Sequence, residues 1–373
     1  MSPFPRPDYQ PLEPYAPDRR PIPVDLSDNT NRWGTHPKAL EAVRRADPDD
    51  LLRYPPVYAD RLKDAIVRHF DIPPESVSTG CGSDDLLDST FRAAGVGGEG
   101  VVYMPPTFSM IEIFARMNGM SPLPVNRPGD PGPPSPFGPL PDPERLLERD
   151  PALIYLCRPN NPTGEVHPRA WVEELLAAVG SGGPIVLLDE AYADFMAGPV
   201  DDFLREAATS HRLLVLRTLS KAYGLAGLRV GFAVGAPQII REVEKSRGPY
   251  KVNRLAETAA VAAIADDSGW IQDICNETRV QRDRLVGELD GRGLPCLPSG
   301  GNFVLIPLAP HTPSAPSLTV PPAADTVTAA LRDRGVGVRP FPALPGLGDA
   351  IRVSIGPAHE MNAFLNALDE LLI

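Results

Sequence analysis

Short apolar runs alternate with helical patterns between about residues 75 and 235, and this alternation limits the possible folds more than any other feature of the chain. The runs are rich in Val, Ile and Leu, which is typical of strands that are buried on both faces. They lie at residues 101–105, 153–157, 185–188 and 213–216. Strands that alternate with helices build a mostly parallel sheet covered by helices. The sequence therefore predicts an α/β fold in which ligands bind beyond the carboxyl ends of the strands.

Side chains that can bind a ligand or take part in a reaction follow these predicted strands. Asn161 lies on a turn between two prolines after one run, and Asp189 and Tyr192 follow the next. Lys221 comes shortly after a third run, and Phe108 follows a fourth. A buried acid is costly unless it pairs with a cation, such as a protonated ring nitrogen, and a desolvated lysine can lose its proton and attack a carbonyl. We expect these side chains on one side of one sheet.

Two segments have the composition of an anion-binding site. Residues 77–87 form a short β segment that turns through Gly-Cys-Gly into a helix, with Ser83 and Asp84 in its first turn. The N–H groups at such a helix start bind anions. Arg229, eight residues after the strand-end lysine, can pair with a phosphate together with nearby hydroxyls. A reactive lysine beside a phosphate clamp matches the requirements of pyridoxal phosphate.

Composition excludes several classes of protein. The formal net charge of −12 disfavours nucleic acid and anionic membranes as partners. No apolar run reaches the roughly 18 residues of a membrane span, and the start of the chain lacks an apolar signal region. The four cysteines are scattered without a CxxC pair, which predicts reduced thiols, no metal site and a cytoplasmic location.

The pattern divides the chain into an arm and two domains. Residues 1–35 are proline-rich and irregular, and we interpret them either as a loose tail or as an arm over a site or a neighbouring subunit. Residues 36–255 carry the alternating pattern and form the predicted large domain. At residues 256–373 the pattern changes to α+β, which predicts a smaller domain that packs with the arm.

Taken together, these residues resemble the fold-type I pyridoxal-phosphate aminotransferases, and among them the histidinol-phosphate aminotransferase family. The most specific segments are 160–164 (Asn-Asn-Pro-Thr-Gly), 189–192 (Asp-Glu-Ala-Tyr) and 220–229, which contains Ser-Lys-Ala-Tyr-Gly and ends in Leu-Arg. The resemblance extends from about residue 12 to the end. It implies a seven-stranded, mostly parallel sheet in the large domain and pyridoxal 5'-phosphate as the cofactor.

The resemblance implies a role for each candidate residue. Lys221 holds the cofactor as a Schiff base and later moves a proton, and Asp189 pairs with the pyridine nitrogen. Asn161 and Tyr192 bond the ring 3'-oxygen, and Phe108 stacks on the ring. The cofactor phosphate is held at the helix start and on the lysine loop, by Ser83, Asp84, Thr218, Ser220 and Arg229.

The resemblance also implies a homodimer and an anionic substrate. Tyr54 matches the tyrosine that the neighbouring subunit supplies to the cofactor phosphate. Arg352 matches the arginine that grips the substrate α-carboxylate, and Asn161 lies beside the substrate. Arg339 and Tyr15 lie where this family contacts the anionic group of its substrate.

The predicted reaction moves an amine from an amino donor to a 2-oxo acid acceptor, with L-histidinol phosphate and 2-oxoglutarate as the substrates. Two departures from the family affect substrate choice: residues 29–33 read Asn-Thr-Asn-Arg-Trp where Asn-Glu-Asn is common, and residues 309–322 resemble a proline-rich insertion. An aminotransferase for an aromatic or other amino acid therefore stays an alternative. A related decarboxylase or lyase with the same lysine and acid is a second one. The intact set of lysine, acid and arginine disfavours a non-catalytic binding module.

Overall fold

The computed structural model describes residues 4–14, 20–95, 98–127, 137–198, 202–294, 296–308 and 318–372. Its strands are β1 (Val24–Asp25), β2 (Val77–Cys81), β3 (Gly100–Tyr103), β4 (Ser121–Pro124), β5 (Leu153–Cys157), β6 (Ile185–Asp189), β7 (Leu213–Thr218), β8 (Val230–Gly235), β9 (Phe303–Pro307), β10 (Val336–Gly337), β11 (Arg339–Leu344) and β12 (Gly348–Ser354).

The helices cover these strands and connect them. They are α1 (Pro37–Arg44), α2 (Pro48–Leu52), α3 (Asp60–Phe70), α4 (Ser83–Ala94), α5 (Met110–Met117), α6 (Arg169–Val179), α7 (Leu204–Thr209), α8 (Pro237–Lys245), α9 (Arg254–Ile264), α10 (Trp270–Gly291), α11 (Ala324–Asp333) and α12 (Ala358–Asp369). Within the described ranges, none of the helices is long and apolar enough to cross a membrane.

A seven-stranded sheet forms the centre of the molecule, with the strand order β2-β8-β7-β6-β5-β3-β4. The five strands from β7 to β4 run parallel to one another, and β8 is antiparallel to both of its neighbours. This confirms the predicted α/β fold with a mostly parallel sheet. The five parallel strands place their carboxyl ends along one edge, which is where the candidate residues lie.

Both faces of the sheet are buried, as the continuous apolar runs predicted. Along β5, Leu153, Tyr155 and Cys157 pack on one face with α4, α5 and α8. Ile154 and Leu156 pack on the other face with α3, α6, α7 and α9. Because side chains alternate along a strand, a buried run of this kind supplies apolar surface to two helical layers at once.

The sequence analysis did not identify β4, which reads Ser-Pro-Leu-Pro. Proline has no N–H group and is therefore rare in strands, except at the edge of a sheet. β4 is an edge strand and pairs with β3 alone. A sequence pattern does not reveal which strand will lie at an edge. The two prolines therefore argued against a strand at this position in the sequence.

A second apolar cluster lies around the three-stranded antiparallel sheet β11-β12-β9. Helices α11 and α12 and the end of α10 contribute to it, and β1 joins it through a parallel pairing with β10. Helix α9 packs instead with α1 and α3 in the layer of the central sheet. The domain boundaries placed at residues 35 and 255 stay a prediction.

The segment between β1 and α1 is held on both sides. Asn29 donates its backbone N–H to Oγ of Ser354 in β12 at 2.9 Å, and Arg32 donates from Nε to Oε2 of Glu360 in α12 at 2.9 Å. On the opposite side, Nδ2 of Asn31 donates to the carbonyl oxygen of Ala222 at 2.8 Å. This part of the arm is therefore an ordered bridge, and the unusual Arg32 serves as a tether to α12. Residues 309–317 of the suspected insertion lie outside the described residues.

We expect Gly231→Ala to destabilise the protein by about 1–3 kcal/mol, because overpacking forces the backbone to move. A Cβ at residue 231 of β8 would lie 2.5 Å from the backbone nitrogen of Ser83 and 2.6 Å from the carbonyl carbon of Gly82. Gly287→Ala in α10 is the matched control, since a Cβ there meets nothing within 4 Å. Urea unfolding measures both variants, and the control should be unchanged or up to about 1 kcal/mol more stable. Equal stabilities of the two variants would contradict the close approach of β8 to α4.

Candidate active site

Two adjoining cavities lie at the carboxyl ends of the parallel strands, between the central sheet and β11 and β12. The Asp189 cavity has a volume of about 140 Å³, and the Arg352 cavity has a volume of about 360 Å³. The residues that line both are Asp84, Phe108, Asn161, Tyr192 and Lys221. The residues that line the Asp189 cavity alone include Ser83, Cys157, Asp189, Thr218, Ser220 and Arg229. The structure thus brings together side chains that the sequence analysis inferred from separate segments.

Lys221 lies in the loop after β7, where the chain leaves the sheet edge. Its amine Nζ donates to the carbonyl oxygen of Asp28 in the arm at 3.1 Å and lies 5.6 Å from the ring centroid of Tyr192. Burial lowers the pKa of Lys221 to about 8, and the positive charge of Arg352 contributes in the same direction. A substantial fraction of the amine is therefore neutral near physiological pH, which makes it a nucleophile.

Asp189 is the last residue of β6 and is buried. Its carboxylate accepts one hydrogen bond from the hydroxyl of Tyr155 at 2.9 Å and one from the backbone N–H of Ala191 at 3.0 Å. Burial raises the pKa of Asp189 to about 6, although both hydrogen bonds favour the charged form. The site therefore presents a desolvated acid that a cationic group would stabilise.

Arg352 is held from several directions in the centre of β12. Its guanidinium donates to Oδ1 of Asn161 and, at 2.7 Å, to the carbonyl oxygen of Ser27. It also lies 5.4 Å from the ring centroid of Phe303 and 5.5 Å from that of Phe341. Stacking between aromatic rings fixes the plane of a guanidinium, so this arginine is oriented before any ligand arrives.

A second arginine lies beside it. Arg339 of β11 is directly opposite Arg352 in the strand register, and both line the Arg352 cavity. Two guanidinium groups on adjacent strands favour an anion with several oxygen atoms, such as a carboxylate or a phosphate.

The clamp predicted for a phosphate forms between α4 and the lysine loop. Arg229 donates from Nη2 to Oδ2 of Asp84 at 3.2 Å and from Nη1 to Oγ of Ser220 at 3.5 Å. Oγ1 of Thr218 donates to Oγ of Ser220 at 2.9 Å. Gly82 has a φ of +78°, and a Cβ there would lie 2.5 Å from Nη2 of Arg229. A Cβ at residue 82 would push the guanidinium of Arg229 away from the start of α4, and the positive φ also favours glycine there.

Two predicted residues are not placed in the cavities of the single chain. Tyr54 is 78 % exposed, stacks on Tyr250 at a centroid distance of 4.8 Å and lines neither of the two cavities. Tyr15 lies outside the described residues. The role assigned to each of them stays a prediction.

The structure also adds residues that sequence reasoning missed. Asn29 is buried, and its Nδ2 donates to the hydroxyl of Tyr192 at 3.1 Å. Burial raises the pKa of Tyr192 well above its usual range, so this tyrosine stays protonated. Tyr155 and Phe341 contact Asp189 and Arg352. The only signals for them were polar residues in the arm and a tyrosine within an otherwise apolar strand.

A lysine and an acid at the strand ends of the central sheet, an anion clamp beside them and a pair of arginines on β11 and β12 are the groups that a transferase of the aminotransferase type requires. The family profile "Aminotransferase class I and II" matches residues 21–371, so the chain belongs to this family. The family predicted from the sequence is thereby confirmed.

Individual members of the aminotransferase family are similar to this chain over most of its length. The chain is 35 % identical to histidinol-phosphate aminotransferase of Roseiflexus castenholzii, covering 98 % of this chain and 97 % of that protein. It is 36 % identical to histidinol-phosphate aminotransferase 2 of Methylococcus capsulatus, covering 94 % and 90 %. Among solved structures, histidinol-phosphate aminotransferase of Sinorhizobium meliloti in complex with pyridoxal-5'-phosphate has a TM-score of 0.79 at 26 % identity, covering 94 % of this chain and 91 % of that one.

We expect the amine of Lys221 to react at a lower pH than an exposed lysine. Because its pKa is lowered to about 8, the neutral amine becomes the major form above that pH. Limited acetylation across a pH series, after dialysis to remove small molecules, followed by peptide mass spectrometry, measures the reacted fraction. The midpoint should lie near pH 8 and should rise in Arg352→Met, because a positive neighbour is lost. A midpoint near the ordinary lysine value of 10.5 would refute the desolvated site.

Proposed function

We propose that the chain is a pyridoxal 5'-phosphate-dependent aminotransferase that converts L-histidinol phosphate and 2-oxoglutarate to imidazole acetol phosphate and L-glutamate. The observation that carries the proposal is the pairing of Lys221 and Asp189 in one small cavity, with the anion clamp of Arg229 on one side and Arg352 on the other. The names of the relatives and the cofactor in the Sinorhizobium meliloti structure support it.

The cavity suits the cofactor in three respects. Asp189 offers a buried carboxylate for a protonated ring nitrogen, and Lys221 offers an amine of lowered pKa for an aldehyde. The glycine-lined approach of Arg229 to the start of α4 forms a cradle for a phosphate. When bound, pyridoxal phosphate supplies an electron sink for the bonds at the donor Cα.

Each residue then has a defined task. Nζ of Lys221 would hold the cofactor and carry a proton to and from the donor Cα, while Asp189 would keep a proton at the ring nitrogen. Asn161 and Tyr192 would bond the ring oxygen, and Phe108 would cover one face of the ring. The phosphate would be held by the first turn of α4 and by the lysine loop, through Ser83, Asp84, Thr218, Ser220 and Arg229.

The two arginines of the Arg352 cavity support an anionic donor and an anionic acceptor. Arg352 is oriented by Asn161, by the carbonyl oxygen of Ser27 and by two aromatic rings, so it binds a substrate anion at a fixed angle. Arg339 provides a second positive charge one strand away. Among the residues that depart from the family pattern, which are Thr30, Arg32 and Trp33, Arg32 binds Glu360 and by itself gives no reason to assign a different substrate. Tyr15 stays a predicted substrate contact.

We also propose that the protein works as a homodimer in which Tyr54 reaches the cofactor phosphate of the other subunit. Leu51 and Leu52 are 74 % and 78 % exposed beside Tyr54, and Val57, Tyr58 and Tyr250 are exposed as well. Exposed apolar residues clustered on one face mark an interaction surface. The cytoplasmic location stays a proposal, supported by the four free cysteines.

The function is tested by spectroscopy and a panel of amino donors. The purified protein with added pyridoxal phosphate should show a near-visible absorbance band, and borohydride reduction followed by denaturing gel filtration should leave a cofactor band on the wild-type chain that Lys221→Ala lacks, because the cofactor is then not covalently bound. Histidinol phosphate should convert the near-visible band to that of the aminated cofactor at much lower concentration than phenylalanine does. Arg352→Met should raise the required donor concentration about 10- to 100-fold, the value of one or two charge-assisted hydrogen bonds, with little effect on cofactor binding.

The outcomes separate the alternatives. A cofactor band that survives reduction and denaturing gel filtration in Lys221→Ala removes the cofactor assignment. An equal response to phenylalanine and histidinol phosphate removes the substrate assignment but leaves an aminotransferase. Release of carbon dioxide from an amino-acid donor without formation of a 2-oxo acid would indicate a decarboxylase.

The dimer is tested by sedimentation equilibrium. The wild type should have twice the 40.2 kDa mass of one chain at micromolar concentration. Leu52→Glu should shift it toward the monomer, because the substitution places a charge in an apolar interface. Val280→Glu is the matched control, since Val280 is 58 % exposed on α10, outside the cluster of exposed residues around Tyr54. A monomeric wild type, or equal dissociation of the two variants, would contradict the proposed interface.

A further inference from the structure

Tyr155 occupies an unusual place for a hydroxyl, in the middle of a buried strand behind the site. It lies in β5, is 1 % exposed and packs in the layer of α4, α5 and α8. In the strand register Cys157 is opposite Asp189, and Tyr155 is two residues before Cys157 on the same face. Its ring therefore reaches diagonally across the strand pair to the end of β6. A phenylalanine would fill the same apolar space, so packing does not account for the hydroxyl.

The hydroxyl donates to Oδ2 of Asp189 at 2.9 Å and also lies within hydrogen-bonding reach of the thiol of Cys157 in the same strand. The other carboxylate oxygen, Oδ1, accepts the backbone N–H of Ala191 at 3.0 Å. With one donor on each oxygen, the plane of the carboxylate is fixed on two sides. We propose that Tyr155 is a positioning residue that holds Asp189 ionised and oriented toward the ring nitrogen of the bound cofactor. The inference rests on the proposed cofactor and adds a residue to its site.

The charge state of both groups agrees with this role. Burial and the neighbouring carboxylate raise the pKa of Tyr155 well above its usual range, so it stays a donor at every working pH. Its hydrogen bond lowers the pKa of Asp189, which burial otherwise raises. Without the hydroxyl, the carboxyl would hold a proton more readily and would stabilise a protonated ring nitrogen less well.

Other groups also face Asp189 and would remain in a Tyr155 variant. They are Cys157 of β5, Asp84 of α4, Tyr192 after β6 and Lys221 after β7. The charge of Lys221 favours the ionised carboxylate, and that of Asp84 opposes it. Tyr155→Phe leaves these side chains in place and removes one hydroxyl, together with its contacts with Asp189 and Cys157.

The chain provides a matched control in the next strand. Tyr103 of β3 lies directly opposite Tyr155 in the parallel register and is also buried. Its hydroxyl donates to Oε1 of Glu112 in α5, and neither Tyr103 nor Glu112 lines the two cavities. Tyr103→Phe therefore removes the same group from the same layer of the sheet without touching Asp189.

The test compares cofactor binding rather than activity. The full chain, freed of cofactor, is titrated with pyridoxal phosphate and with its deaza analogue, in which a C–H group replaces the ring nitrogen. In the wild type and in Tyr103→Phe, the analogue should bind much more weakly, because it cannot carry the proton that Asp189 stabilises. We define the ratio as the dissociation constant of the analogue divided by that of pyridoxal phosphate. In Tyr155→Phe, this ratio should be at least about tenfold smaller than in the wild type, which is the value of one hydrogen bond to a charged group.

The outcomes separate a failure of the proposed function from a failure of the role of Tyr155. If the wild type does not bind pyridoxal phosphate, the proposed function fails. If it binds the cofactor and Tyr155→Phe keeps the wild-type ratio, the role of Tyr155 fails alone. Tyr155→Leu, which also lacks the hydroxyl, replaces Tyr155→Phe if circular dichroism shows that the latter does not fold. A similar fall of the ratio in Tyr103→Phe would assign the effect to general loosening of the sheet and would overturn the proposal.

Discussion

The desolvated carboxylate of Asp189 is the constraint on which the rest of the site depends. An acid buried at the end of an apolar strand loses its hydration, and the protein must return part of that stabilisation through oriented donors and a nearby cation. The backbone of Ala191 and the hydroxyl of Tyr155 provide the donors. The amine of Lys221 contributes a favourable charge from the loop that follows the adjacent strand β7. The same desolvation lowers the pKa of Lys221. Burial in one site therefore raises the pKa of the acid and makes the amine a better nucleophile.

The sequence predicts most of this because the relevant information is local. A buried strand is visible as an apolar run, and the residue after it is fixed at the sheet edge by the strand itself. Asp189, Asn161 and Lys221 could therefore be assigned to one edge before their distances were known. The mostly parallel sheet followed from the same alternation, whereas its seven strands were implied by the resemblance to the aminotransferases, and the strand order confirms both.

The missing parts depend on contacts that no local pattern encodes. The hydroxyl of Tyr155 matters through a diagonal contact with a different strand, and Asn29 matters because the arm folds back over Tyr192. β4 was concealed because its prolines are permitted only by its position at the edge. Tyr54 is the opposite case. The resemblance to the family suggested a role for it at the neighbouring subunit, and the structure of one chain does not test that role.

The antiparallel insertion of β8 has a consequence for the order in which the protein is made. β2 lies at the edge of the central sheet and pairs with β8 alone, although β8 comes much later in the chain. While the ribosome synthesises the intervening residues, β2 and the start of α4 have no sheet to join. The start of α4 therefore cannot form the phosphate cradle until Arg229 and β8 have been synthesised. The nascent chain completes this part of the site late, through contacts between residues far apart in sequence.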